Sequence, residues 1–209
     1  MEQLIELVNQ AAICMEQALF YCDKDEDYSY INSRLSEIMS TDTYTKRNTS
    51  IIITTHNETK MLELCLNSIH QTLPESSYEI IVVDNASKSE TISWLHAKEN
   101  IKLIRCNTPV SYSQAYNIGI KNASCDNDIL ILHSDTIVTP NSIMWLKMGL
   151  YEQGQIGAVG ALSNSCDNQQ LISVSFNTIE EYIDYSHRIN LPAVSPYEAK
   201  VWLSGFCIL

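Results

Sequence analysis

Basic side chains are scarce in this chain. Thirteen Lys and Arg stand against 25 Asp and Glu, giving a formal net charge of -12 and an isoelectric point near 4.7. A surface this acidic excludes a protein that tracks nucleic-acid phosphates or anchors to a membrane through a polybasic patch. Any anionic ligand has to be handled locally, by helix N-termini, a few basic groups or a bound cation. Long apolar runs are missing as well. The opening MEQLIELVNQAAICMEQALF starts acidic and carries interspersed Glu and Gln, which excludes a signal peptide and a transmembrane segment there. Cysteine pairs are absent too: the seven Cys, at 14, 22, 65, 106, 125, 166 and 207, are odd in number and never form Cys-x-x-Cys. That spacing argues against a disulfide framework and for reduced, mostly core thiols. The expected location is cytoplasmic, with peripheral membrane association in a longer protein left open.

Glycine-rich phosphate grips are also lacking. There is no G-x-x-x-x-G-K-[ST], and Gly154, Gly157 and Gly160 read G-x-x-G-x-x-G ahead of an apolar run rather than G-x-G-x-x-G after one. A P-loop ATPase and an ordinary dinucleotide dehydrogenase are poor fits. A nucleotidyltransferase would want a basic, Gly-rich opening loop, and TTHNETK is not one.

What is present is enough for one sizeable core, with 209 residues of which 45% are hydrophobic. Leu4, Ile5, Val8, Ala12, Met15 and Leu19 recur at helical spacing, and Ile31, Leu35 and Ile38 form a second short pattern after an acidic break. The break, DKDEDYSY, has a calcium-loop look only at Asp23, Asp25 and Asp27; Tyr28 stands where the turn glycine belongs and Arg34 where the closing Glu belongs, so it reads as a solvated turn. The polar stretch STDTYTKRNTS reads as a linker. The expected organisation is a helical segment and linker over 1–48, followed by a second domain over 49–209.

From Ser50 onward the grammar is strand, helix, strand, helix. SIIITTHN, YEIIVVDN, IKLIRC and DILILHS are β-branched, nearly wholly apolar runs. Between them lie helical patterns, among them Leu62, Cys65, Leu66 and Ile69 at i, i+3, i+4, i+7. Ser87 and Glu90 have capping-box spacing before a helix containing Ile92 and Leu95, and another helix is expected to start at Thr139-Pro140 with Ile143, Leu146 and Leu150 on its face. Such alternation predicts an α/β fold with a mostly parallel sheet covered on both sides. IGAVGAL is expected as a fifth strand, a helix near 178–189 follows, and a Pro-containing loop comes after it. The chain ends on VWLSGFCIL, an apolar strand pattern read as a cut inside the domain.

In open parallel sheets ligands bind beyond the carboxyl ends of the strands. There this sequence places Thr54, Thr55, His56 and Asn57 after the first run, Asp84 and Asn85 after the second, Asn107 after the third, and His133, Ser134 and Asp135 after the fourth. A strand-end Asp is also a common turn cap, so Asp84 alone is ambiguous. Ala115, Gly119 and Ala123 form a small-residue stripe on the helix expected over 111–123, read either as close packing or as ligand approach.

The order of these pieces resembles family 2 glycosyltransferases with a GT-A fold, in particular the rhamnosyltransferase-like branch. SIIITTHNETKMLELCLNSIHQT is similar to the family's opening strand and helix, EIIVVDNAS to its nucleotide-binding strand end, QAYNIGIKNA to its Ala/Asn/Gly helix, and ILILHSDTIVTP to the strand bearing its D-x-D metal motif. The resemblance covers 50 to about 165 and, more faintly, WLSGFCIL. It implies a Rossmann-like GT-A sandwich that takes a sugar from a UDP- or dTDP-linked donor to a glycan or other hydroxyl acceptor, with inversion. It puts the nucleotide near Thr54, Thr55, Asn57, Asp84, Asn117 and Gly119, and a divalent Mn²⁺ or Mg²⁺ at Asp135. The general base would lie beyond Leu209.

The departure from the family pattern is His133, which stands where the metal motif has its first Asp. It reads as a donor to a phosphate or sugar hydroxyl, as a strand-end histidine without a role, or as an imidazole ligand better suited to Mn²⁺ than to Mg²⁺. A catalytically inactive nucleotide-sugar-binding or interaction module is the alternative function. The N-terminal helices are read as an oligomer or partner contact, or as a cap on the sheet.

Overall fold

The computed structural model describes residues 2–190 and 197–209. Most of the Pro-containing loop expected after residue 189 lies outside them. The described residues fall into two compact units. One takes the residues up to Lys46, Thr72–Pro74 and Thr139–Leu203; the other takes Arg47–Gln71, Glu75–Val138 and Ser204–Leu209.

The second unit is built on a five-stranded sheet. Its strands are β1 (Thr49–Thr55), β2 (Tyr78–Asn85), β3 (Ile101–Cys106), β4 (Asp128–His133) and β5 (Cys207–Ile208), in the order β3-β2-β1-β4-β5. The first four run parallel, as their unbroken β-branched runs predict, and β5 is antiparallel to β4. Between them run α3 (Thr59–Thr72), α4 (Ser89–His96) and α5 (Tyr112–Lys121), while α1 (Glu2–Phe20) and α2 (Asp25–Met39) belong to the other unit.

Crossovers between parallel strands are right-handed. Moving from β1 to β2 to β3 the chain steps one way across the sheet; from β3 to β4 it steps back past β1. The helix α5 is therefore thrown to the face opposite α3 and α4. The contacts agree: Ala115 and Tyr116 of α5 pack into one cluster with Ile52, Ile81, Val83 and Cys106. The order reverses between β1 and β4, and there Thr54 stands in register with His133.

Close approach of α5 to the sheet depends on Gly119. A Cβ added there would sit 2.2 Å from Ile52 Cγ2 and 3.2 Å from Val83 Cγ2. Of the two readings of the small-residue stripe, the structure supports packing at this residue.

In the first unit, α1 (Glu2–Phe20), α2 (Asp25–Met39), α6 (Ser142–Leu150) and α7 (Ile179–Ile189) carry the regular structure. The face of α1 expected to be apolar is turned. Its buried line is Asn9, Ala12, Ile13 and Gln17, while Leu4 is 55% exposed. The polar members have partners: Asn9 Oδ1 accepts from the backbone N–H of Thr45 and Lys46, and buried Lys46 donates to Glu16 at 2.6 Å. The stretch read as a linker is thus tied to α1. Asp25, Glu26 and Asp27 form the first turn of α2, where acidic groups face the positive end of the helix dipole.

Three expectations are corrected. IGAVGAL is not a strand: among the described residues it carries only a bridge position at Gly160, with an isolated bridge from Ser163 to Leu171 after it, and the position beside β4 is held by β5. Gly157 and Gly160 weaken a strand there by supplying no side chain to pack. The Ser87–Glu90 capping box does not form. Lys88 is the N-cap of α4 without a side-chain bond, because Ser87 Oγ accepts from the Asn57 N–H instead, at 2.9 Å. Finally, α6 starts at Ser142 rather than at Thr139-Pro140, behind Asn141 in the left-handed region with φ 63°. Among the described residues no helix is long and apolar enough to cross a membrane.

The tight seat of α5 makes Gly119→Ala a sensitive probe. Overpacking of this kind should cost about 1–3 kcal/mol, read as a lower urea midpoint. Gly157→Ala, where an added Cβ meets nothing within 4 Å, should leave the midpoint unchanged.

Candidate functional site

The carboxyl rim of the sheet is assembled from three strand ends and the loops that follow them. Thr54 and Thr55 close β1 and are both buried. Successive side chains alternate across a sheet, so Thr54 faces α5, and Thr55, one rung on, shares the opposite face with Asp84 and Arg105, its register partners across β2 and β3.

Most of the polar residues after β1 and β2 hold the loops to one another. Asp84 is 1% exposed at its side chain, and its Oδ1 accepts from the Ser87 N–H at 3.1 Å. Asn57, in the left-handed region at φ 63°, accepts from the Lys88 N–H through Oδ1 at 2.8 Å and donates through Nδ2 to His56 Nε2 at 2.9 Å. His56 Nδ1 lies 2.8 Å from the Asn85 carbonyl, so the proton sits on Nδ1. Asn85 itself grips Val110, accepting from its N–H at 2.8 Å and donating to its carbonyl at 2.9 Å. That grip delivers the chain to Ser111, which caps α5 in a capping box with Gln114.

Two oxygens on the rim remain unspent. Among the described residues Thr55 Oγ1 and Asp84 Oδ2 are buried without a hydrogen-bond partner. The nearest cation to the second is Arg105, with Nε 3.9 Å away and a half-exposed side chain. Buried polar atoms are seldom left this way, and each calls for a reason such as a ligand or an ordered water.

After β4 the arrangement is different. His133 is anchored through its main chain, its N–H donating to the Phe206 carbonyl at 2.8 Å and its carbonyl accepting from Cys65 Sγ at 3.7 Å. Its imidazole lies nearly parallel to the rings of Tyr112 and Tyr116, with centroids 6.0 and 6.4 Å away. Ser134 is buried; the Asp135 carboxylate is 65% exposed, with Oδ1 3.9 Å from His133 Nδ1. The turn is tied to α3 by Ser68 Oγ, which accepts from the Val138 N–H at 2.9 Å.

The structure brings together Thr54, Thr55, Asp84, His133 and Asp135 at one edge, with Thr54 and His133 side by side. Asn57 is present but both ends of its amide are engaged. Asn117 and Gly119 take separate places on α5: Asn117 is exposed beside a shallow hollow lined by Val110, Gln114, Ile118 and Lys121, and Gly119 is sealed against β1 and β2. The sequence reasoning missed Tyr112, Tyr116 and Arg105. The signal was available for the tyrosines, since residues four apart on a helix share a face, but which strand end they meet depends on the crossover. Among the remaining acidic candidates, Glu180, Glu181 and Asp184 lie exposed on α7. No group of three or more His, Cys, Asp or Glu fit to hold a metal occurs among the described residues.

Burial dominates the titration of the groups beneath the rim. It pushes the Cys207 thiol up to about 12 and the Cys65 thiol higher still, where Cys207 and Asp135 add to the effect. It also pushes Tyr116 up to about 12, against a lowering bond with Thr54 and with small additions from Tyr112, Asp135 and Cys65.

Comparison with known proteins places these residues among relatives. Residues 50–190 match the family model described as Glycosyl transferase family 2. Glycosyltransferase AglE of Haloferax volcanii is 30% identical over 106 residues, which is 48% of this chain and 34% of that protein. Among solved structures, the mannosyltransferase PcManGT from Pyrobaculum calidifontis, in complex with GDP-Man and Mn²⁺, aligns at a TM-score of 0.49 with 20% identity, over 76% of this chain and 47% of that one. TarS of S. aureus in complex with UDP-GlcNAc aligns at 0.44 with 23% identity, over 50% of this chain and 31% of that one. The chain therefore spans about a third of the curated relative and less than half of the first structure.

Raised acid groups set an alkaline limit. Cys207 and Tyr116 stay protonated in the folded chain but ionise near 9 and 10 when unfolded, so the unfolded state binds fewer protons across that interval. Stability should be flat below about pH 9 and fall from there toward about 12, by about 1.4 kcal/mol per pH unit for each group. Urea midpoints measured from pH 7 to 11 check this, and Cys207→Ala should make the decline shallower.

Proposed function

Because the chain belongs to glycosyl transferase family 2, we propose that residues 49–209 form the donor-binding part of a glycosyltransferase, one that moves a sugar from a UDP- or dTDP-linked donor to a hydroxyl on a glycan or other acceptor. We further assign it to the rhamnosyltransferase-like branch, with inversion at the anomeric carbon, and to the cytoplasm. The observation that carries the reading is the family match running through the β1/β4 crevice, where Thr54, His133 and Asp135 come to one rim.

The roles follow from what each group has left to offer. Thr54 and Thr55 line the crevice floor. The unspent Thr55 Oγ1 and Asp84 Oδ2 supply hydrogen-bond capacity on the base side of the nucleotide, and Asp84 also keeps the 84–88 turn in shape through Ser87. Asn57 holds the loop over that side rather than the ligand, with Asn117 at the outer margin. Gly119 serves by letting α5, and with it Tyr112 and Tyr116, close on the sheet.

A divalent cation suits the rim on the chemistry of its donors. Mg²⁺ and Mn²⁺ prefer oxygen, need few protein carboxylates and complete their shells with phosphate and water. Asp135, exposed at the end of β4, is the group that would hold one. When bound, the cation would neutralise charge on the leaving diphosphate. His133 is assigned as a donor to a diphosphate or sugar oxygen; its Nδ1 lies 3.9 Å from Asp135 Oδ1. None of the acidic residues on α7 is assigned as the general base.

A second reading, a nucleotide-sugar-binding module without turnover, is favoured by one feature: an imidazole replaces a carboxylate where the family resemblance puts a metal ligand. Isothermal titration with UDP and dTDP, with and without Mn²⁺, tests the donor site. Binding should tighten with Mn²⁺, and Asp135→Ala should remove at least a tenfold part of that gain, about 1.4 kcal/mol. Affinity that ignores both metal and Asp135 would sink the metal role. Release of UDP from UDP-sugars in the presence of hydroxyl acceptors separates an active transferase from a binding module.

A further inference from the structure

Tyr112 is the first residue of α5 and is 70% exposed, yet its ring lies within 14° of parallel to the His133 imidazole. A large aromatic ring this exposed removes little apolar surface from water and so contributes little to stability. Its position is nevertheless well determined. Asn85 pins Val110, Ser111 and Gln114 cap the helix, and Tyr112 follows directly.

The imidazole it meets is held in an uncommon way. Tyr116, buried one turn further along α5, lies within 13° of parallel to it and donates its hydroxyl to the Leu132 carbonyl at 3.4 Å. The main chain of His133 is bonded to Phe206 and Cys65. Neither ring nitrogen has a hydrogen-bond partner among the described residues, and Asp135 at 3.9 Å is beyond hydrogen-bond reach. A histidine that is merely structural satisfies at least one nitrogen when it can. Here the ring lies nearly parallel to two tyrosine rings, and its side chain stays 40% exposed with neither nitrogen spent on a protein partner among the described residues.

We propose that Tyr112 is a positioning residue of the donor site: by stacking on His133 it sets the plane of the imidazole so that a ring N–H meets an oxygen of the nucleoside diphosphate. The inference rests on the donor-site reading above. Parallel aromatic pairs stabilise a given arrangement modestly, which suits a residue that orients a neighbour rather than binding the ligand itself.

A double-mutant cycle in the full chain tests this, using UDP with Mn²⁺ as the probe. Tyr112→Phe keeps the ring and should bind within about twofold of the unaltered chain. Tyr112→Leu should weaken UDP about two- to tenfold with an unchanged urea midpoint. On a His133→Ala background the same Tyr112→Leu change should have no further effect. The His133 ring protons should shift downfield in the NMR spectrum of the Leu variant and stay in place in the Phe variant, a readout that needs no nucleotide. A loss that persists in the double variant would mean that Tyr112 touches the nucleotide directly and overturns the positioning role, as does an unaltered affinity in Tyr112→Leu. No UDP binding by the unaltered chain, with or without Mn²⁺, overturns the donor-site reading and this inference together.

Discussion

The right-handedness of parallel crossovers governs the rest of this rim. With strands ordered β3-β2-β1-β4, the connection from β3 to β4 has to pass back across the sheet, and α5 has to lie on the face opposite α3 and α4. The crevice between β1 and β4 is the consequence. It lies where the strand order reverses: the chain leaves β1 for α3 on one face and reaches β4 from α5 on the other. The rings of Tyr112 and Tyr116 reach His133 only because α5 is on that face, and α5 sits close enough only because position 119 has no side chain to collide with Ile52.

The strand-end polar residues divide into those that build the rim and those left available on it. Asn57, Asn85, Ser87 and one oxygen of Asp84 are consumed by hydrogen bonds within and between loops. This follows from the cost of leaving loop N–H and C=O groups unpaired near a buried sheet edge. Side chains with capacity to spare are fewer: Thr55 Oγ1 and Asp84 Oδ2 below, His133 and Asp135 above. A list of polar residues at strand ends therefore overstates a binding site. The residues that matter to a ligand are those the loops have not already used.

Much of the fold was legible in the sequence because its signals are local. The four parallel strands appear as apolar runs whose ends match the observed ones within two residues, since burial on both faces demands unbroken β-branched stretches. Helix ends were read less well where a side chain had two possible partners. Ser87 had the right spacing to cap α4 and instead bonds Asn57 from the preceding strand's loop, a partner thirty residues away in the chain. The capping box that does form, at Ser111 and Gln114, has the same kind of spacing without the long-range competitor. IGAVGAL looked like a strand by composition, but a strand needs a neighbour, and the edge of β4 belongs to Cys207–Ile208.

For the site itself, the sequence alone determined which residue types arrive at the carboxyl rim, because strand direction and the alternation of elements suffice to put Thr54, Thr55, Asp84, His133 and Asp135 there. Only the tertiary structure decided which of them remain open to a ligand and what surrounds them. It spent one oxygen of Asp84 on the Ser87 N–H and left the other without a partner, engaged both ends of the Asn57 amide, turned Gly119 into the sheet and laid two tyrosines near His133. The physical reason is that hydrogen-bond partners and stacking neighbours come from segments distant in the chain, and they become neighbours only once the sheet order and the hand of its crossovers are set.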